Sequence, residues 1–455
     1  MKICIFNPKS NGDETDMVYD LDFLTEEEAK SSGDDVSWFK VGDILNLREQ
    51  FEVNDYLIRH GLMQRPLEQA KFANKTLFRL WEVIHQTKVI NYYLEKDESL
   101  NKLLNIFIRV NSGGTILSYS DLLISVATAQ WKNKDAREEI ISLVDELNNI
   151  GDGFKFDKDV IFKGSLVLAD INNIAFKADN FNKENMSKIE EQWEQIEKAF
   201  RGGVLLAATF GYNRDTLTSN YAIIPIAYYL KKLGLPENFD ISSKYKNDRE
   251  AICRWLVCSL IKRVFGGSPD MVLRQIREVL SKANGSFQYE EIVEKFKGTP
   301  KSLVFTEDDI ESLLNYKWGN EYTFSILALL YPTLDFRNKF HIDHVHPRSK
   351  FKIPEFRQAG IQEADQEFYL ENMDLLPNSQ LLEGIPNEEK SDIYFADWFE
   401  KNFKKEEEKE AYRKRHYIPN IDLSFSNFKE FFKEQKELLR QELCRVLGVS
   451  VPKQE

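Results

Sequence analysis

The spacing of hydrophobic positions changes along the chain. In the first 45 residues they alternate weakly, over Lys2–Phe6 and Met17–Leu21, with turn chemistry at Asn11-Gly12-Asp13 and Ser31-Ser32-Gly33-Asp34-Asp35. That pattern predicts short strands joined by loops. From about residue 45 the period becomes helical, and Leu100, Leu103, Leu104 and Phe107 fall on one helix face. The run stops at Arg109-Val110-Asn111-Ser112-Gly113-Gly114-Thr115, and a new helix is expected from Ser118, with Asp121 as its capping-box partner. Amphipathic segments follow at Asp135–Asn149, Glu184–Phe200, Tyr221–Leu233 and Arg249–Phe265. Gly266-Gly267 reads as a helix stop. Ser268-Pro269-Asp270 then reads as a start: a capping residue, proline at the first helical position, then an acid.

The last third differs. Phe340–Val345 predicts a strand, ended by Pro347. Pro354, Gly360, Pro377, Gly384 and Pro386 predict loops. Helices resume near Glu388 and close with Phe425–Leu447. The mixed charge of Lys404–Arg415 predicts a solvated helix face. The expected fold is mainly α with a C-terminal α+β unit, and no repeat of 20–50 residues interrupts it.

Composition narrows the classes. The 455 residues suffice for two or three domains of ~150 residues each. The longest apolar runs, Val204–Thr209 and Tyr221–Leu230, are too short to span a bilayer. The apolar patch in MKICIFNPKS is too short for a signal peptide. A cytoplasmic protein with no membrane partner is therefore expected. The four cysteines form no CxxC pair, which argues against a disulfide framework or a thiolate zinc site. Cys253 and Cys258 are expected to pack as small hydrophobes, Trp193, Trp255 and Trp398 to lie in the core, and His60 and His85 to be structural. A net charge of −13 excludes a uniformly basic coat for DNA. It leaves room for an enzyme that grips phosphates through a local basic patch.

Three of the six histidines, His341, His344 and His346, stand together in HIDHVHPRSK, with Asp343, Arg348 and Lys350. Asn378 follows downstream, Asn387 nine residues later, and Lys390 three after that. Hydrolysing a phosphodiester needs an activated water and a cation that neutralises charge on the phosphate and the leaving oxygen; oxygen ligands suit a hard divalent ion. The arrangement Asp-His-Val-x-Pro, Asn, then Asn-x-x-Lys resembles the HNH (ββα-metal) nucleases. The resemblance implies that Asp343 and Asn387 hold Mg²⁺ or Mn²⁺ and that His344 is the general base. It implies that Asn378, on a second strand, positions the loop carrying His344. Arg348, Lys350, Lys390 and His346 are then expected to contact phosphate. Many HNH nucleases carry paired cysteines before the last ligand; here those positions are Glu383 and Pro386, so no structural zinc is expected. Three plainer readings stand beside these: a zinc site from the three histidines, Asn387 as a helix N-cap, and Lys390 as a solvated lysine.

The run FIRVNSGGTILSYSDLL, from Phe107 to Leu123, resembles a motif of the GmrSD-type restriction and anti-phage proteins. These join a ParB-like domain to an HNH domain, and NSQLLEGIPNEEKSD and RHYIP fit the same group. The resemblance implies a ParB-like remnant over 1–130, a helical domain over 131–300 and an HNH endonuclease domain over 301–455. The family's Asp-Gly-Gln-Gln-Arg motif is missing, as is a Walker A sequence, so nucleotide binding is not expected of this chain alone. The expectation is that a partner subunit supplies that segment, or that the chain is a truncated relative. Arg109 and Asn111 are candidates for sensing a ligand; the alternative places Arg109 in an ion pair at a helix end. The function implied is a metal-dependent DNA endonuclease of an anti-phage restriction system. The alternatives are a non-catalytic regulatory or DNA-binding subunit, or an HNH ribonuclease toxin.

Overall fold

The weak alternation at the start folds as a small antiparallel sheet. A computed structural model describes residues 2–6, 21–30, 36–88, 96, 102, 106, 121, 125, 130–175, 177–282, 285–332, 334, 336, 338 and 340–450. The chain divides into two compact units, Met1–Asp97 and Glu98–Glu455. In the first, β1 (Lys2–Phe6) lies between β2 (Leu21–Asp22) and β3 (Ser37–Lys40). Helices Gln50–Arg59 and Leu67–His85 pack together, and Val53, Leu57, Leu77 and Trp81 join Phe39 of β3 in one core. Both histidines of this unit are tied to backbone carbonyls: His60 Nδ1 to Tyr56 and His85 Nε2 to Ile44.

The second unit is mainly helical. Asp135 accepts from the N–H groups of Arg137 and Glu138 and so caps the helix Ala136–Asn148. The amphipathic stretch expected as one helix over Glu184–Phe200 is two, Lys183–Glu191 and Trp193–Thr209. The second runs through Gly202-Gly203, because packing overrides the low helix propensity of glycine: a Cβ on Gly203 would stand 3.1 Å from Ile223. Gly164 in the helix Lys158–Leu168 matters more. A Cβ there would lie 2.2 Å from the ring of Phe200, so only glycine lets these two helices approach so closely. Helices Ile223–Lys232, Lys246–Ile261 and Pro269–Ser281 follow. Pro269 opens the last of these, but the Ser268 side chain makes no capping hydrogen bond. Trp193 and Trp255 are buried in this core, and Cys258 with them.

The boundary expected near residue 300 is crossed by a continuous core. Helix Thr323–Leu330 packs on Lys246–Ile261, and the terminal helix Phe428–Leu447 packs on both Thr323–Leu330 and Glu307–Leu314. Leu439 and Leu443 of the terminal helix belong to the large core, whereas its Phe428, Phe431 and Phe432 enter a second, aromatic cluster with Phe395 and Trp398. Two segments expected as loops are helical, Ile353–Gln358 and Glu363–Asn372. Pro354 sits in the first turn of the former, where its missing N–H costs nothing.

The strand expected at 340–345 is present as β4 (Phe340–His344), paired antiparallel with β5 (Ser379–Glu383). Asp343 stands opposite Gln380 and His344 opposite Ser379. The helix Gly384–Lys390 follows β5 directly and packs on both strands. It starts earlier than expected because Pro386, in its first turn, is compatible with helix there. Among the described residues no helix is long and apolar enough to cross a membrane.

Candidate functional site

The β4–β5 ladder brings together residues that are far apart in the chain. Beyond the end of β4, Val345 N–H donates to the Asn378 carbonyl at 2.8 Å. Asn378 occupies a 3₁₀ turn just before β5 rather than the strand itself. Its buried side chain is fully used: Oδ1 accepts from His346 N–H at 2.8 Å, and Nδ2 donates to the carbonyls of His346 (3.1 Å) and Met373 (2.7 Å). One amide thus ties the loop after β4 to the turn before β5.

His344 lies at the mouth of this arrangement and is 8 % exposed. Its Nε2 is 2.9 Å from Asp374 Oδ1, which also meets Arg348 Nε at 3.2 Å. Trp318 covers one side of the imidazole, its ring centre 5.1 Å away. Trp318 is itself held at both ends: its N–H donates to the Asp374 carbonyl at 2.6 Å, and its indole N–H to the Ile342 carbonyl at 2.9 Å. The carboxylate of Asp374 selects the tautomer with a proton on Nε2 and leaves a lone pair on Nδ1. That Nδ1 has no hydrogen-bond partner among the described residues, and the side chain keeps a little exposed surface. Burial lowers the imidazole pKa below its ordinary value, against the opposing pull of Asp374 and Asp343, so the ring is neutral at pH 7. A neutral imidazole, fixed by a carboxylate and open at its other nitrogen, is equipped to take a proton from water.

Asp343 is the neighbouring carboxylate. Its Oδ2 accepts from Gln380 Nε2 at 3.0 Å and lies 2.9 Å from Lys390 Nζ. Gln380 is oriented in turn by Tyr412, whose hydroxyl donates to Oε1 at 2.6 Å. Asp343 Oδ1 has no partner among the described residues. Asn387 stands half-buried on the helix Gly384–Lys390, inside it rather than at its N-cap, which is Glu383. One carboxylate oxygen and one amide carbonyl are the donor types a hard divalent ion takes while it keeps several waters. Among the described residues no group of three or more His, Cys, Asp or Glu converges on a point, so the three histidines make no zinc cage.

Two expected phosphate contacts are corrected by their burial. Lys390 is 0 % exposed; its ammonium bridges Asp343 and the His344 carbonyl (2.5 Å), and burial lowers its pKa. It is neither a surface grip nor a solvated lysine. His346 is also 0 % exposed, ringed by Phe395, Phe428 and Phe431, with neither ring nitrogen bonded. β4 ends at His344, and the loop after it turns His346 into the aromatic core. Arg348 is exposed beside His344, whereas Lys350 Nζ lies over the Tyr394 ring at 4.6 Å. Arg109 and Asn111 lie outside the described residues. Asp374 went unrecognised in the sequence reading. Its one signal is an acid four residues before Asn378, in a turn leading into a strand, and that is weak by itself.

No protein-family model matches this chain, and no curated protein matches it.

Proposed function

We propose that the chain is a metal-dependent DNA endonuclease of the HNH (ββα-metal) type, acting in a restriction system against phage. One observation carries the reading: a two-stranded antiparallel ladder followed directly by a helix sets Asp343 beside a neutral His344 that Asp374 pins through Nε2. His344 Nδ1 takes the proton of the attacking water. Asp374 holds the ring in register and stabilises the imidazolium that forms, while Arg348, on the same carboxylate, faces the incoming phosphate. Asn378 keeps the loop in place. Asp343 and Asn387 would hold Mg²⁺ or Mn²⁺, which when bound polarises the phosphoryl group and stabilises the leaving oxygen.

A second reading, a catalytically silent regulatory or DNA-binding subunit, draws support from the buried Lys390, which already neutralises one oxygen of Asp343. Plasmid nicking with Mg²⁺, Mn²⁺ or EDTA separates the two, with an RNA substrate in parallel to test a ribonuclease. Metal-dependent nicking that disappears in His344→Ala and Asn387→Ala, with circular dichroism unchanged, supports the enzyme. Equal nicking by the parent and His344→Ala refutes the role given to His344.

A further inference from the structure

A cavity of about 550 Å³ opens along the edge of β4 that faces away from β5, and Trp318 forms part of its wall. The ladder explains why this edge is available. Val345 and Asn378 form a hydrogen-bonded pair, so by antiparallel alternation Ile342 points its N–H and C=O away from β5. Trp318 takes the Ile342 carbonyl, and the Ile342 N–H faces the same edge. Phe324, Phe336 and Phe340 give it an aromatic wall, beside the aliphatic Ile150, Leu205 and Ala208. Gly211 (φ +85°) completes the wall; a Cβ there would lie 2.7 Å from Phe324 and 2.9 Å from Phe336. Polar side chains also line it: Asp152, Thr209, Asn213, Thr216, Asn338 and His341. Asn213 Oδ1 is engaged by Asp215 N–H and the Thr216 hydroxyl, so its Nδ2 remains as a donor. A cavity with aromatic walls, an acceptor at the Asp152 carboxylate and a donor at Asn213 Nδ2 suits a planar heteroaromatic ring whose edge carries both donors and acceptors.

The geometry points to this cavity as the seat of a single nucleobase, turned out of the strand whose phosphodiester lies at His344. The inference rests on the nuclease reading and deepens it. Trp318 joins the two places, since it lines the cavity, covers His344 and is bonded to Asp374 and Ile342. A base stacked there would fix the distance from its own phosphate to the imidazole. An enzyme that must reach groups hidden in a duplex gains access by extruding a nucleotide, and the unstacking cost is offset by stacking in the pocket.

The test uses the full chain in EDTA with oligonucleotides carrying 2-aminopurine at successive positions, single-stranded and duplex. We expect the duplex emission to rise at one position as that base unstacks. We expect Asn213→Ala and Trp318→Leu each to weaken binding by about tenfold, with Trp318→Phe restoring most of it. Free deoxynucleosides should bind at least about a hundredfold more weakly than the strand, because they lack its phosphate contacts. Failure to bind any oligonucleotide, unchanged emission at every position, unchanged affinity in both variants, or a nucleoside that binds as tightly as the strand would each overturn the assignment. His344-dependent nicking without any emission change removes the base site and leaves the nuclease reading standing. An emission change without such nicking removes the nuclease reading and leaves a base-binding cavity.

Discussion

Acid should unfold this protein partly through one histidine that takes no part in the proposed chemistry. His346 has no exposed surface and no hydrogen bond to either ring nitrogen, and the Phe431 ring centre is 4.6 Å from its own. Burial, helped by the nearby Lys390 ammonium, pushes its pKa down to about 3. In the unfolded chain the same ring titrates near 6.5. The folded value is the depressed one, so the unfolded state binds more protons between these limits. The stabilisation is complete above about pH 6.5 and is lost as pH falls towards 3. At pH 5 the unfolded imidazole is almost wholly protonated and the folded one almost wholly neutral. A gap of about 1.5 pH units at ~1.36 kcal/mol each gives a loss of about 2 kcal/mol from this ring. His416, also pushed down to about 3, contributes a similar loss. The assay is denaturant unfolding of the parent and His346→Leu at pH 7 and pH 5. Carboxylates that protonate in both proteins cancel in the difference. The variant should lose about 2 kcal/mol less than the parent on acidification, and should be no less stable at pH 7, because two unsatisfied nitrogens are gone. Equal losses in the two proteins would refute the placement of His346 as a buried neutral ring.

Four further outcomes follow from the same contacts. Asp374→Asn should slow metal-dependent nicking by about 10²-fold or more, since the tautomer of His344 is no longer imposed. It should also move the acidic limb of the pH–rate profile lower, because Asp374 raises the imidazole pKa; an unmoved limb would detach Asp374 from the reaction. Lys390→Met should destabilise the fold by about 3–5 kcal/mol, as it leaves Asp343 without its buried cation, and thermal melts should show Mg²⁺ or Mn²⁺ recovering more of that loss than it adds to the parent. Asn378→Ala removes three buried hydrogen bonds and should cost about 2–4 kcal/mol by denaturant titration, where a near-zero change would contradict the clamp. Gly164→Ala should cost about 1–3 kcal/mol, since its methyl would collide with Phe200; a neutral substitution there would mean the two helices separate freely.

The sequence alone determined the elements whose signals are local. Apolar period marks Ala136–Asn148 and Ile223–Lys232, and a proline at the first helical position marks the start of Pro269–Ser281, wherever their partners lie, because a helix face and a proline start are written within a few residues. The strand at Phe340 was legible for the same reason, whereas the spacing Asp343, Asn378, Asn387 spans separate segments and was legible only as a resemblance. What the tertiary structure decided were relations between segments. The break at Gln192 and the passage of a helix through Gly202-Gly203 depend on neighbours that no window of sequence contains. Asp374 became the partner of His344 only when the turn before β5 folded under Trp318. His346 and Lys390, polar and near the motif, read as surface groups until packing sealed both. Residue type states which bonds a side chain can make; whether water or protein makes them is settled by what the rest of the chain places around it.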